Sequence, residues 1–448
     1  MSRLAVIVLA AGKGTRMKSS LPKVLHPVAG KPMLLHVLDM LHSLDVTRAV
    51  VVVPPDGAAI REAVGLRAET VVQAEQLGTA HAVIQARETV SDVDQILVIC
   101  GDTPLVTSDT IRAVLERHTE SAAAVTLLTS VPLETAGLGR VVRDGEQRVV
   151  AIVEEKEATP EQRHIREINT GVYCYDAHWL WRLLPSIPLG PSGEAYLTDM
   201  IAAIRAEGGV VADIAAPDPN EAIGINNRVQ LSVAEGILRQ RVREQLMLEG
   251  VTLIDPPSTF IDADVQIARD TVIYPGATIS GTTSIGERCV IGPGTVIADS
   301  VVGDDCRVLM SVLESSRLEH GVSMGPFCHV RAGAHLAHEV HLGNFGEVKN
   351  SYLGAGTRMH HFSYLGDAKV GERVNIGAGT ITCNYDGVRK WPTTVDDDVF
   401  IGSDTLLIAP VEVGRGAKTG AGSVVTRNVP PGAVVFGVPA RIKTEESK

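Results

Sequence analysis

"IARDTVIYPGATISGTTSIGERCVIGPGTVI" (Ile267–Ile297) places an isoleucine at 267, 273, 279, 285, 291 and 297, a beat of six without a slip. A helix repeats its apolar face every three or four residues and a half-buried strand every two, so six fits neither. The beat marks a hexapeptide β-helix: three short sides make one coil of about eighteen residues, and each side sends one aliphatic inward. Small residues fill the positions between, as in Ile285-Gly286, Ile291-Gly292, Ala277, Cys289 and Thr295. The beat returns at Ile401, Leu407, Val413 and Val425, with Thr419 the polar exception. It shortens to five at Val348–Leu353 and Leu365–Val370. It breaks across "TITCNYDGVRKWPTTVDDD", which reads as a loop thrown out of the coil, where a solenoid often carries function.

Composition agrees. Of 448 residues, 45% are apolar but only 4% are aromatic, and the bore of a β-helix has no room for rings. The net charge of -12 argues against nucleic acid as a partner, because phosphate-tracking proteins carry basic surfaces. The six cysteines are far apart with no CxxC pair, which fits a reducing cytosol and no zinc or disulfide framework. Arg3 before "LAVIVLAA" imitates a short signal peptide. That run is short and enters a Gly-rich cationic turn, so a buried parallel strand explains it better. No run has the length of a membrane span, and no membrane insertion is expected.

Three segments follow: 1–226, a linker helix at 227–250, and the β-helix at 251–448. In the first, "LAVIVLAA", "AVVVVPP", "TVVQ", "QILVICGD" and "AVTLLTSV" read as strands alternating with helices. This is an α/β Rossmann-like, mostly parallel sheet covered on both faces. Ligands of such sheets lie at the carboxyl ends of strands, where "LAAGKGTR" and "ICGDTP" sit. In "NRVQLSVAEGILRQRVREQLMLEG", Val233, Ile237 and Val242 suit one apolar side, and Arg239, Arg241 and Arg243 can reach solvent.

Gly12 and Gly14, with Arg16, Lys18 and Lys23, form a small cationic bend. A GxG alone is also what an ordinary strand-to-helix turn shows. The dinucleotide fingerprint wants glycine where Met17 stands, and a Walker loop is absent. The longer pattern is more specific. "LAAGKGTRM" with "LPK", then "QAEQLGTAHA", "CGDTP", "GLGRVV", "IVEEK", "EINTGVY" and "GINNRVQL", resembles the sugar-nucleotide pyrophosphorylases. With the hexapeptide half, whose pattern resembles the left-handed form, nearly the whole chain resembles the bifunctional N-acetylglucosamine-1-phosphate uridylyltransferase and glucosamine-1-phosphate N-acetyltransferase family.

The resemblance implies a nucleotide site at Leu9, Ala10, Ala11, Gly12, Lys23, Cys100, Gly101 and Asp102. It implies uracil readers Gln73, Gly78 and Thr79, and sugar contacts Gly139, Glu154 and Asn169. It places Mg2+ on Asp102 and Asn226, an oxygen donor pair suited to a hard cation. Alternatively, Asp102 caps a turn and Asn226 caps a helix. Arg16 and Lys23 would offset charge at the α-phosphorus of UTP. The attacking phosphate of N-acetylglucosamine 1-phosphate has a second pKa of about 6, so no general base is needed.

The second site rests first on spacing. Arg331 and Lys349 are eighteen residues apart, so they should stack on one edge as a clamp for a sugar phosphate. A solvated basic edge is the plainer reading. By resemblance, His361 is the base that deprotonates the amine of glucosamine 1-phosphate, with Glu347 orienting it. Tyr364 and Asn375 join the sugar side. Ala378, Asn384, Tyr385, Ser403 and Ala421 match acetyl-CoA contacts. Where the family often has an arginine for the coenzyme, this chain has Val438, with Arg441 nearby. His335, His338 and His341 point along different sides of a coil and read as a polar face rather than a metal site.

The family also trimerises through the β-helix and feeds bacterial cell-envelope polymers, so a cytoplasmic homotrimer is implied. Two other readings remain at this level. One is a pyrophosphorylase with a non-catalytic β-helix for assembly; the other is a binding protein with no catalysis.

Overall fold

The computed structural model describes residues 3–135, 137–190 and 193–443. The chain divides into two compact units, Met1–Leu238 and Arg239–Lys448.

In the first unit, the main sheet runs in the order Val211–Ala215, Val125–Ser130, Ile168–Asp176, Gln95–Cys100, Leu4–Leu9, Arg48–Val53, Glu69–Val72. Leu4–Leu9 pairs parallel with both neighbours, and Ile168–Asp176 runs antiparallel to both of its own. Arg140–Arg143 and Val149–Val153 form a side ribbon joined to Ile168. The pattern inside a strand explains the continuous apolar runs. Ala5 and Ile7 enter one core, while Leu4, Val6 and Val8 enter another. Val50 and Val52 likewise oppose Val51 and Val53. Both faces are buried along these apolar runs, and the polar exception, Arg48, sits at a strand start where it is exposed.

The second unit is a left-handed parallel β-helix. Its short strands stack, among the described residues, in three sheets, parallel except where Val434–Phe436 meets Arg441–Ile442 antiparallel. Ile267 pairs with Ile285, Ile273 with Ile291, and Ile279 with Ile297, each eighteen residues on. The ladder side chains Ile273, Ile279, Ile291 and Ile297 are fully buried. Each contributes about 1.5–3 kcal/mol from lost apolar surface. More coils are short than the sequence reading noticed. Ile285 pairs with Val302, seventeen on, and Ile297 with Leu313, sixteen on. The corners absorb a dropped residue because each flat side needs only two or three paired residues. Thr419 stays inside by hydrogen bonding: it accepts from the Gly402 amide at 2.9 Å and lies 3.0 Å from the Thr405 hydroxyl. The loop at 383–393 lengthens one coil to twenty-five residues, Val370 and Lys369 pairing with Val395 and Thr394. Tyr385 and Lys390 bridge across its base.

The helix Arg228–Leu248 corrects two expectations. Val233 is exposed, and Ala234 is the buried residue, with Ile237 packed beside it. Arg239 does not reach for solvent: it pairs with Asp262 at 2.9 Å and lies over the Phe260 ring. Arg243 donates to the Thr259 carbonyl at 3.2 Å. The i, i+4 pattern marks a helix face, but short coils and turns packed against it decide which face is covered. No helix of the described residues is long and apolar enough to cross a membrane.

Candidate functional site

The first site forms at the carboxyl ends of Leu4–Leu9 and Gln95–Cys100, which lie side by side with Leu9 opposite Cys100. Leu9, Ala10, Ala11, Gly12, Lys23, Gln73, Gly78, Thr79, Cys100 and Asp102 all line one cavity of about 380 Å³. Gly101 supports it from behind, its amide donating to the Leu9 carbonyl at 2.9 Å. At Gly78 only glycine fits. Its φ is +101°, and a Cβ would lie 2.4 Å from the Ala195 carbonyl oxygen. Gln73 is buried, its amide nitrogen 3.1 Å from the Gly78 carbonyl and 3.2 Å from His81 Nδ1. Thr79 Oγ1 accepts from the Leu197 amide at 2.9 Å.

Four polar groups converge at the mouth. Lys23 Nζ bonds the Asp102 carboxylate and lies 3.1 Å from Asn226 Oδ1. Arg16 Nη2 donates to the same Asn226 oxygen at 2.8 Å. The Ile225 amide donates to the Asp102 carbonyl at 3.0 Å, which ties the two segments together. A carboxylate and an amide oxygen thus already share one cation. That donor set fits a hard divalent ion that completes its shell with water and phosphate oxygens. Among the described residues no three His, Cys, Asp or Glu side chains group as a metal cage.

Gly139, Glu154 and Asn169 come together one step deeper. The Asn169 amide donates to the Gly139 carbonyl at 2.9 Å. A Cβ on Gly139 would sit 3.5 Å from Glu154 Oε1 and 3.7 Å from Asn169 Cβ. Burial raises the Glu154 carboxyl above its ordinary value, against a long hydrogen bond from Thr198. Burial also pushes the Cys100 thiol up to about 12, with Asp102 adding to the shift, so it is no nucleophile. The sequence reading missed Lys13, Gln76, Glu194 and Tyr196, which line the same cavity. Gln76 Nε2 donates to the Ala11 carbonyl at 2.6 Å and anchors the glycine bend. Its position in "QAEQLG" was the available signal.

In the β-helix, register does the assembling. His329, Glu347, Tyr364 and Ile381 stack on successive coils of one side. Arg331 and Lys349 are adjacent at the end of that side, the Arg331 amide bonding the Val348 carbonyl at 2.8 Å. Glu347 pairs with Arg331 at 2.8 Å. Lys390, from the thrown-out loop, joins as a third cation that sequence reading passed over. Lys390 first, then loss of solvent and the charge of Arg331, hold the Lys349 ammonium below its ordinary value, with Asp367 opposing. Asn384 Nδ2 donates to Asp367 at 2.5 Å, while the exposed Tyr385 turns its hydroxyl to the Gly387 carbonyl at 2.7 Å.

Gly366 was missed as well. It pairs with Lys349, and a Cβ there would lie 2.2 Å from the Tyr364 hydroxyl and 2.8 Å from Asn384 Nδ2. The bare glycine leaves the room that the ends of the Tyr364 and Asn384 side chains occupy.

His361 occupies the next corner, exposed. Met359 pairs with Ile376, Ile376 with Ile401, and Phe400 with Lys418. Two residues past each inward position, His361, Ala378, Ser403 and Ala421 therefore fall on one corner of four successive coils. Backbone bonds stitch that corner: Asp404 N to Ala378 O at 2.6 Å and Gly422 N to Ser403 O at 2.8 Å. A cavity of about 510 Å³ opens beside it, lined by Phe362, Tyr364, Gly379, Ile381, Asp404 and Leu406. Asn375 stands apart from Tyr364, on the preceding side in register with Arg358 and Phe400. The described contacts of Glu347 go to Arg331, not His361; the ring near His361 is His360, 6.3 Å away. Val438 is exposed, and Arg441 lies on a strand opposite Phe436. His335 and His338 share the carboxylate of Glu319, at 2.7 and 3.3 Å, while His341 lies against His360, the two rings tilted by 46°.

Residues 6–144 match the MobA-like NTP transferase domain. Residues 264–299 match the bacterial transferase hexapeptide (six repeats), and 392–427 the hexapeptide repeat of succinyl-transferase. The chain is 49% identical to the bifunctional protein GlmU of Heliobacterium modesticaldum, over 100% of this chain and 98% of that protein. It is 49% identical to the bifunctional protein GlmU of an Exiguobacterium species, over 97% of each. It is 46% identical to that of Geobacillus thermodenitrificans, over 99% of this chain and 97% of the relative. The chain belongs to the family of bifunctional GlmU proteins, joining a nucleotidyltransferase domain to a hexapeptide acetyltransferase domain.

Proposed function

We propose that the chain performs two successive transfers on one sugar phosphate. The β-helix acetylates glucosamine 1-phosphate from acetyl-CoA. The N-terminal unit joins the resulting N-acetylglucosamine 1-phosphate to the uridylyl group of UTP and releases pyrophosphate. The observation that carries this reading is that each compact unit holds its own cation cluster beside its own cavity.

In acetyl transfer the amine nitrogen attacks the thioester carbonyl, its proton passes to His361, and the thiolate of the coenzyme leaves. Arg331, Lys349 and Lys390 hold the sugar's phosphate, Tyr364 and Asn384 its neighbourhood, and the Ala378–Ser403–Ala421 corner the coenzyme. Glu347, paired with Arg331, positions that arginine. In uridylyl transfer the already ionised sugar phosphate attacks the α-phosphorus. Lys23 and Arg16 screen the two anions as they meet, and the Gly12–Gly14 bend offers bare amides to the phosphates. A Mg2+ ion on Asp102 and Asn226 would supply further charge neutralisation. Gln73, Gly78 and Thr79 hold the base, and Gly139, Glu154 and Asn169 the sugar.

The test is a paired assay on the full chain. Lys23→Ala should impair only uridylyl transfer and Arg331→Ala should impair only acetyl transfer. Equal loss of both activities in a folded variant would overturn the assignment. The working form on this reading is a cytosolic homotrimer through the β-helix. Its support is six unpaired cysteines and the exposed Phe327–Phe345 stack, ring centres 5.3 Å apart. Sedimentation of the purified protein checks the assembly.

A further inference from the structure

The bend before Arg140 is held by a charge pair to which the two transfers described above assign no role. Arg140 is only 3% exposed. A guanidinium that deep needs a counter-charge and acceptors for its N–H groups; here both terminal nitrogens have one, while Nε is buried without a partner. Its Nη2 donates to Glu155 Oε2 at 3.2 Å, and its Nη1 donates to the Leu138 carbonyl. The same Glu155 oxygen accepts from the Gly137 amide. Gly137 has a φ of +81°, so the chain turns sharply there onto that carboxylate. Two backbone groups of one turn thus end on a single ion pair. Glu154, one residue before, meets Thr198 instead and lies against Gly139. Gly139 follows the clamped bend directly and is bonded to Asn169.

We propose that Arg140 and Glu155 are a positioning pair for uridylyl transfer: they fix the Gly137–Gly139 bend as one wall of the sugar pocket and so set the affinity for the sugar phosphate. The inference rests on the reading of Gly139, Glu154 and Asn169 as the sugar side. The pair touches no reacting atom. It acts by holding the wall rigid before the sugar arrives, which removes an ordering penalty from binding. UTP binding and acetyl transfer have no share in that wall.

The test uses the full chain with Glu155→Ala, Glu155→Gln and Asn169→Ala. Each substrate is titrated separately, and acetyl transfer serves as a folding control in the same molecule. Glu155→Ala should raise KM for N-acetylglucosamine 1-phosphate about tenfold, the worth of one charged hydrogen bond, with KM for UTP unchanged within about twofold. Glu155→Gln keeps an acceptor oxygen and should recover part of the loss. Amide exchange at Gly137 and Leu138 should speed up in Glu155→Ala. If Glu155→Ala does not fold, Glu155→Gln decides by the same selective rise in the sugar KM. The proposal falls if both KM values move together, or if the amides speed up with the sugar KM unchanged. If Asn169→Ala leaves the sugar KM unchanged, the assignment of the sugar side falls, and the inference with it. If Asn169→Ala raises it and Glu155→Ala does not, only the clamp falls.

Discussion

Lys23 Nζ lies 3.1 Å from Asn226 Oδ1, although 203 residues separate them. Asn226 precedes the long helix, and its own amide is fixed by Gln230 Oε1 at 2.8 Å. One end of the first unit's chain therefore completes a site begun at the other.

Removing that shared cation should be severe. Lys23→Ala is expected to lower kcat for uridylyl transfer by about 10²–10³, the usual worth of one preorganised charge at a reacting centre. Acetyl transfer should stay within about twofold of the parent. Asn226→Ala should shift the Mg2+ titration of uridylyl transfer to higher concentration, read from initial rates.

His361→Ala should lower kcat for acetyl transfer by about 10²–10⁴ and leave uridylyl transfer intact. Free coenzyme release, followed with a thiol reagent against uridylyl transfer measured as pyrophosphate, separates the two. Unchanged acetylation would remove His361 as the base.

Gly366→Ala tests the packing of the second site. The new Cβ would press on the Tyr364 hydroxyl and the Asn384 amide. Overpacking costs about 1–3 kcal/mol where nothing gives way, but here the groups met are side-chain ends that turn aside rather than backbone. The expectation is a rise of about tenfold in KM for glucosamine 1-phosphate, with melting temperature nearly unchanged. A fall in stability with normal KM would show that the glycine serves only the coil.

His118 predicts a pH dependence of the first unit. It is buried, its Nδ1 3.0 Å from Thr126 Oγ1, and burial lowers its value below the ordinary 6.5, though Asp176 pulls the other way. The folded chain therefore takes up this proton later than the unfolded chain. The stability is present above 6.5 and is lost as pH falls from there toward the lowered folded value. Melting curves between pH 7.5 and 5.5 should show the parent losing more stability than His118→Asn.

Much of this was written in periodicity. The six-step ladder, the Leu4–Leu9 strand and the glycine bend need only local rules, because each residue's neighbours in sequence decide its side of a strand or coil. Stacking of Arg331 on Lys349 was readable for the same reason, one coil being a fixed count of residues. What lay between distant segments was not readable. Glu347 takes Arg331 rather than His361, Asn375 falls on the side before the corner, and Val233 faces out. Lys390 and Gly366 gave no signal, since one sits in an aperiodic loop and the other looks like any coil glycine.

The sequence by itself determined the two architectures and the order of their motifs, because burial on both faces of a sheet and inside a narrow coil leaves a strict apolar rhythm. Only the tertiary structure decided which polar groups share a partner. Lys23 with Asn226, and Arg140 with Glu155, are matters of a few ångströms between strand ends and loops, and no spacing in the chain encodes that distance.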